Sequence, residues 1–341
     1  GTRLAIVDGM NHRVLIWNSI PTTNGMPANR VLGQPNFTSN TANSPSISSR
    51  TLSSPVDARF DGARLIVADA GNHRVLIWNS MPSTDGQEAD IVLGHPNFTN
   101  TVFRDNGLNV SGGVTAYSFY NPYGVASDGT RLYVADVSNQ RILIWSTFPT
   151  VHFASANVVV GQPNFLSELS LPGRSHFNSP YRVVVASGAL FVAEAGHHRI
   201  TQWNQVPTSN LQPADRALGH QGLEGEFHSA SPNAGPSGRG LHSPRGVAVA
   251  AGTLAVADLS NQRALLFNPV PAVNDSTATR VLGQWDFWAE PYSLTGYQGY
   301  SEGVATHFYN PEGIYTHGTR LFVYDSQNNT VLIWKYMTTR S

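Results

Sequence analysis

Cysteine is absent from this 341-residue chain, which excludes disulfide staples, a thiolate nucleophile and a thiolate-bound zinc. Lysine occurs once, at Lys335, against twenty arginines, and the formal net charge is −1. Charged residues make up 13% of the chain, too few for the basic stripe that grips a nucleic-acid backbone. No apolar run approaches the roughly 20 residues of a membrane-spanning helix, so no membrane span is expected. Nor does any stretch sustain a 3.6-residue apolar period, and helix is expected to be scarce. The opening GTRLAIVD has neither an initiating methionine nor the apolar core of a signal peptide, and reads as a processed or trimmed N-terminus. Sparse charge and Asn-, Ser- and Thr-rich connections favour a secreted, periplasmic or cell-surface setting, where the sequons at Asn36 and Asn97 would matter.

Repetition fills the space these absences leave. The octapeptide NHRVLIWN stands at Asn11–Asn18 and again at Asn72–Asn79, with the cousins NQRILIWS, HHRITQWN, NQRALLFN and NNTVLIWK further on. The aromatic that closes it recurs at Trp17, Trp78, Trp145, Trp203, Phe267 and Trp334, at intervals of 61, 67, 58, 64 and 67 residues. Each unit opens with Asn/Ser-Pro (NPYGVAS, SPRGVAV), makes a Gly-containing turn, runs through RLYVAD or an equivalent, and then enters the octapeptide. A Pro-Thr loop and VLGQPNF complete it. These four short runs, rich in Val, Ile, Leu and aromatics and bounded by Gly, Pro, Asn and Asp, predict four strands joined by hairpins. In SDGTR, the Asp-Gly pair supplies the positive-φ residues of a tight turn.

One such sheet cannot bury both its faces, whereas stacked copies cover one another. Six copies predict an all-β, six-bladed β-propeller in a single domain, 1–341, with blades near 1–53, 54–120, 121–178, 179–242, 243–309 and 310–341. Gly1 aligns with Gly129 of the third hairpin turn, and the last repeat stops short of a VLGQ strand. The first and last blades are therefore expected to be incomplete, and their unpaired edges offer a route to self-association.

The series GVAS-D-G-x-RLYVAD-x-x-NHRVLIW resembles the NHL repeat, Pro-x-Gly-Val-Ala-Val-Asp…Val-Ala-Asp-x-x-Asn-His-Arg-Ile, and does so along nearly the whole chain. The sequence departs from it in the fourth repeat (VAE, HHRITQW), the fifth (LLF) and the sixth, where Thr330 replaces the arginine. The resemblance implies a binding or scaffolding propeller without chemistry, facing a protein, peptide or glycan. Six-bladed relatives also include a metal-dependent lyase, lactonases and strictosidine-synthase-like proteins, so a metal-dependent lyase or hydrolase is the alternative. Some NHL domains bind RNA through a Lys/Arg-rich face, which this chain lacks.

Each turn joins a carboxylate to an arginine five residues on: Asp8 to Arg13, Asp69 to Arg74, Asp136 to Arg141, Glu194 to Arg199, Asp258 to Arg263. Carboxylate and guanidinium across a hairpin can meet as a bidentate pair. Recurrence in five blades marks architecture, since an enzyme of this build uses one site. His12, His73 and His198 alternate with Gln140, Gln262 and Asn329, so this position asks for a polar hydrogen-bonding side chain. Trp and Leu of RVLIW, two residues apart, share one face of the strand and one inter-blade layer.

Function is expected where the repeats disagree. Around the Asn/Ser-Pro entries (TLSSPVD, SFYNPYG, HFNSPYR, GLHSPRG, HFYNPEG), the Phe/Leu column reads as a plug of the channel. Its neighbours change character: Asp57, Tyr120, Tyr123, Tyr181, Arg182, Arg245, Tyr309 and Glu312 form a candidate ligand site. No cofactor is otherwise predicted, but His176, His242 and His307 are candidate ligands for Zn or Ca in the channel. Three loops are long enough to suggest function, 99–118, 224–240 and 288–307, the last carrying Trp288, Tyr292, Tyr297 and Tyr300 with Trp285 just before it.

Overall fold

The structure is a computed structural model and describes residues 2–105, 107–108, 111–219, 236–289 and 307–335. The chain divides into two compact units, residues 1–169 with 209–211, and residues 170–208 with 212–341. In the first unit, one antiparallel sheet holds β1 (Leu4–Asp8), β2 (Arg13–Trp17) and β3 (Arg30–Leu32). The next holds β4 (Asp57–Asp61), β5 (Arg64–Asp69), β6 (Arg74–Trp78) and β7 (Ile91–Leu93). The third holds β8 (Pro122–Ser127), β9 (Leu132–Asp136), β10 (Arg141–Trp145) and β11 (Val158–Val160).

In the second unit, β12 (Pro180–Ala186), β13 (Ala189–Glu194), β14 (Arg199–Trp203) and β15 (Arg216–Leu218) form one sheet. A second contains β16 (Pro244–Ala250), β17 (Thr253–Asp258), β18 (Arg263–Phe267) and β19 (Arg280–Leu282). The last contains β20 (Pro311–His317), β21 (Arg320–Asp325) and β22 (Thr330–Lys335). All six are sequential meanders, and the fold class is the six-bladed β-propeller, with three strands in the first and last blades as the sequence predicts. Helix among the described residues is confined to short 3-10 turns.

Blades pack face to face. In the first unit, Ile66, Ala68, Val75 and Leu93 of the second blade meet Val125, Leu132, Val134 and Trp145 of the third. Leu143 and Trp145 lie in the same cluster, as the two-residue period of a strand requires. The tryptophans also tie down the loop that follows them. Trp17, Trp78, Trp145 and Trp203 each donate Nε1–H to a carbonyl nine residues on, at 2.9–3.1 Å.

The Phe/Leu column is not a channel plug. Leu52, Phe119, Leu241 and Phe308 are buried against the glycine that follows the fourth strand of the preceding blade. At Gly94, φ is +95°, and a Cβ would come 2.6 Å from Phe119 Cδ2, so both conformation and space demand glycine. The column is inter-blade core: apolar side chains fill the notch where VLG leaves the sheet.

The turn between the Asp-ending strand and the Arg-opening strand is built alike in blades one, two, three and five. Asp69 pairs in register with Arg74, a 3-10 turn spans Ala70–Asn72, and His73 takes a left-handed conformation with φ of 54°. Arg74 Nε donates to Asp69 Oδ2 at 2.7 Å, while Nη2 reaches the carbonyls of Ser48 and Thr51 and Nη1 that of Phe98. One guanidinium thus braces its own turn, the loop entering the blade and the loop leaving it. Arg141 and Arg263 repeat the pattern, each Nε 2.8 Å from its aspartate. In the fourth blade the longer Glu194 is accommodated by His197 Nδ1 at 2.9 Å and by the Thr201 hydroxyl at 2.8 Å.

The outer edge of a blade is also covered. The middle residue of the fourth strand donates its N–H to a side chain, and accepts an N–H, from the next blade's loop: Val31 with Asp85 and Gly86, Val92 with His152 and Phe153, Val159 with Asn210 and Leu211, Ala217 with Asn274 and Asp275. Residues Gly86, Phe153, Leu211 and Asp275 all have positive φ, which turns their N–H back onto the strand.

Candidate functional site

The first strands carry the variable residues into position. Each begins at a proline preceded by an Asn or Ser with positive φ, or just after one: Ser54, Asn121, Ser179, Ser243 and Asn310. Asn and Ser are favoured there because their short polar side chains satisfy the local backbone of a kinked chain. In four blades the register then slips: Pro180 to Arg182 skips Tyr181, Pro244 to Gly246 skips Arg245, Pro311 to Gly313 skips Glu312, and Pro122 to Val125 skips Tyr123 and Gly124. A bulge of this kind re-aims the extra residue, a device common beside binding sites.

In the second unit the three bulged residues come together. Arg245 Nη1 donates to Glu312 Oε1 at 2.6 Å, and its guanidinium carbon lies 4.6 Å from the centre of the Tyr181 ring. Arg245 Nε is buried without an acceptor among the described residues. Arg182 Nη2 lies 3.7 Å from where a Cβ on Gly313 would stand, an ordinary contact distance. In the first unit, Asp57 is buried and accepts the N–H groups of Ala58 at 2.9 Å and of Val125, in the next blade, at 3.0 Å, with Arg59 Nε 3.4 Å away. Asp57 therefore secures the bulge of β8.

Tyr120 belongs to a different cluster. Its ring stacks on Phe103 at 4.6 Å, meets the edge of His73 at 5.5 Å, and lies 5.4 Å from the Arg104 guanidinium carbon. Arg104 is held by Asn139 Oδ1 at 2.8 Å and by Glu168. Burial, with help from the nearby His95, lowers the pKa of His73 to about 4. The neutral ring accepts the Asn121 N–H on Nδ1 at 3.3 Å. His12 and His198 do the same for Ser54 and Ser243. Below this cluster, buried His95 donates across to the Asn72 carbonyl at 2.8 Å and faces Asp105 at 3.0 Å, anchoring the 99–118 loop.

Of the candidate metal ligands, His242 lies 5.1 Å, ring to ring, from His198. His176 is half-buried, its pKa lowered by burial and by the adjacent His197. His307 is half-buried at the entry to β20. Among the described residues no three His, Asp or Glu side chains are gathered in a way that would hold a metal ion. Tyr309 is half exposed and donates its N–H to Asp325. Tyr292, Tyr297 and Tyr300, and most of 224–240, lie outside the described residues.

Sequence reasoning singles out the residue after each proline but not the bulge that gathers three of them. Nor does it find Phe103 and Arg104, whose signal is an aromatic–cation pair in the longest insertion of the first unit.

Fold and site together define a repeat-built β-propeller with two separate polar–aromatic clusters, one in each unit. No protein family matches its sequence, and no curated protein does. Similar solved structures include a nidogen/laminin complex, at 14% identity over 83% of this chain and 76% of that one, with a TM-score of 0.42. A streptogramin B lyase is similar at 10% identity over 99% and 80%, with a TM-score of 0.46. So is a catalytically inactive virginiamycin B lyase from Staphylococcus aureus with quinupristin, at 10% over 98% and 80%, with a TM-score of 0.45.

Proposed function

We propose that the chain is a non-catalytic, extracytoplasmic propeller of NHL type that presents loop-borne aromatics to a protein, peptide or glycan. The observation that carries this reading is the turn after β19. In three other blades the corresponding segment reads Pro35-Asn36-Phe37-Thr38, Pro96-Asn97-Phe98-Thr99 and Pro163-Asn164-Phe165-Leu166. Here it reads Trp285-Asp286-Phe287-Trp288, and the two indoles are 72% and 70% exposed. The backbone beneath them is braced as in the other blades: Asp286 Oδ1 accepts the Trp288 N–H at 2.8 Å, and the buried Arg263 holds the Phe287 carbonyl at 2.7 Å. Two large apolar side chains placed in water on a braced turn are a cost to the isolated chain, which binding would recover.

The ionisable groups in the bulge cluster support the same reading, because Arg245 and Glu312 neutralise each other instead of standing ready as acid and base. The test is retention on glycan and peptide arrays by the unmodified chain and by a W285A/W288A double variant. At least a tenfold loss of binding at unchanged melting temperature is expected; equal binding by both would overturn the reading. Stoichiometric zinc or calcium in the purified protein, lost together with a lyase or hydrolase activity on His176→Ala, would replace it with the enzymatic alternative.

A further inference from the structure

The repeats act as internal controls for one another, and the sixth blade breaks the rule of the other five. In blades one to five a turn carboxylate meets an arginine: Asp8 with Arg13, Asp69 with Arg74, Asp136 with Arg141, Glu194 with Arg199, Asp258 with Arg263, all at 2.7–3.0 Å. In the sixth, Asp325 stands at the same place, paired in register with Thr330 where the others have arginine. The other contacts of the carboxylate repeat from blade to blade. Asp325 Oδ1 accepts the Tyr309 N–H at 2.9 Å, as Asp69, Asp136 and Asp258 accept those of Ser53, Tyr120 and His242. Its Oδ2 accepts Asn328 Nδ2 at 2.8 Å, as Asp69, Asp136 and Asp258 accept Asn72, Asn139 and Asn261. Asp325 is 0% exposed, and no cation faces it among the described residues. Thr330, in contrast, is exposed, whereas Arg74, Arg141, Arg199 and Arg263 are fully buried.

We propose that blade six binds the guanidinium of an arginine side chain presented by a partner peptide, with Asp325 as its counter-ion beside Thr330. Five copies of the same turn state the chemistry of the ligand. In blades two, three and five the posed carboxylate takes the Nε–H while both Nη groups reach main-chain carbonyls, a spread of donors that suits a planar guanidinium better than a point-charge ammonium. The chain's own arginines sit within reach of main-chain carbonyls as well as the acid; at this blade the His307 carbonyl occupies the chain position of those that receive Arg74 and Arg141. Burial raises the Asp325 carboxyl above its ordinary value, as expected for a buried acid that no cation among the described residues faces. Tyr309, which donates its N–H to this carboxylate, is half exposed.

The seat is independent of the Trp285 turn, and the experiment separates the two. N-acetyl-arginine amide is titrated into the full chain and followed by melting temperature and by calorimetry, with N-acetyl-lysine amide and N-acetyl-citrulline amide as controls. A saturable rise in melting temperature is expected with the arginine compound, at least tenfold weaker with lysine and absent with citrulline. Thr330→Arg should raise the melting temperature without ligand and abolish the response. Asp325→Asn, which keeps an oxygen for the Tyr309 N–H, should fold and lose the response too. W285A/W288A should respond like the parent. No saturable arginine effect, an equal effect of lysine, or an undiminished effect in both Thr330→Arg and Asp325→Asn would overturn the proposal.

Discussion

At the residue scale, His73 shows how one position answers several demands. The sequence discloses that its column wants polarity, since His, Gln and Asn alternate there. The left-handed backbone and the acceptor role towards the next blade emerge only with the chain folded, because both depend on where Asn121 arrives. The lowered pKa gives a pH test. A base whose folded pKa falls from 6.5 to about 4 contributes stability that is present above 6.5 and lost as pH falls through that interval. Denaturant unfolding at pH 7 and pH 4.5 should therefore differ by on the order of 2 kcal/mol more in the parent than in His73→Gln, whose side chain does not titrate. His95 offers a companion case. Gln34, Gln162 and Gln284 fill the same column and donate to the carbonyl one residue further along the same turn, so His95→Gln should cost less than about 1 kcal/mol in the same assay. His95→Ala, which leaves the Asn72 carbonyl short of a donor, should cost about 1–3 kcal/mol.

Among elements, the turn pairs differ from blade to blade in how far water reaches them. Arg74 is wholly buried with its acid, whereas Arg13 and Asp8 keep part of their surface in water. Breaking a buried pair strands a charge, so Arg74→Ala should destabilise by about 3–5 kcal/mol, and Arg13→Ala by well under half of that, read from denaturation midpoints. The turn pairs are legible in the spacing because both partners lie within one hairpin. The bulge cluster is not: Tyr181, Arg245 and Glu312 each follow a proline, but their meeting depends on three sheets packing with their first strands together. The Phe/Leu column departs from the expected plug for a related reason. A period tells which residues share a column, and only packing tells which side of the sheet that column faces. Phe119 lies against Gly94 and Trp145 because the exit of the previous blade leaves a hollow of its size.

For the whole molecule, six units and their strand order are evident in the repeated octapeptide, as are the three-stranded first and last blades. The loops that lock one blade's outer strand to the next are not evident, since their sequences, Asp85-Gly86, His152-Phe153, Asn210-Leu211 and Asn274-Asp275, share a conformation and not a residue type. Alanine at Asp85, His152, Asn210 and Asn274 should each cost about 0.5–1.5 kcal/mol, roughly additively, with faster amide exchange at Val31, Val92, Val159 and Ala217 respectively. Because each of these four latches is contributed by the later blade to the earlier one, the dependence between neighbours is vectorial. A chain emerging from the ribosome leaves each rim open until its successor has been made, and shortening from the C-terminal end unfastens rims one after another. Shortening from the other end removes only latches whose rims have gone with them.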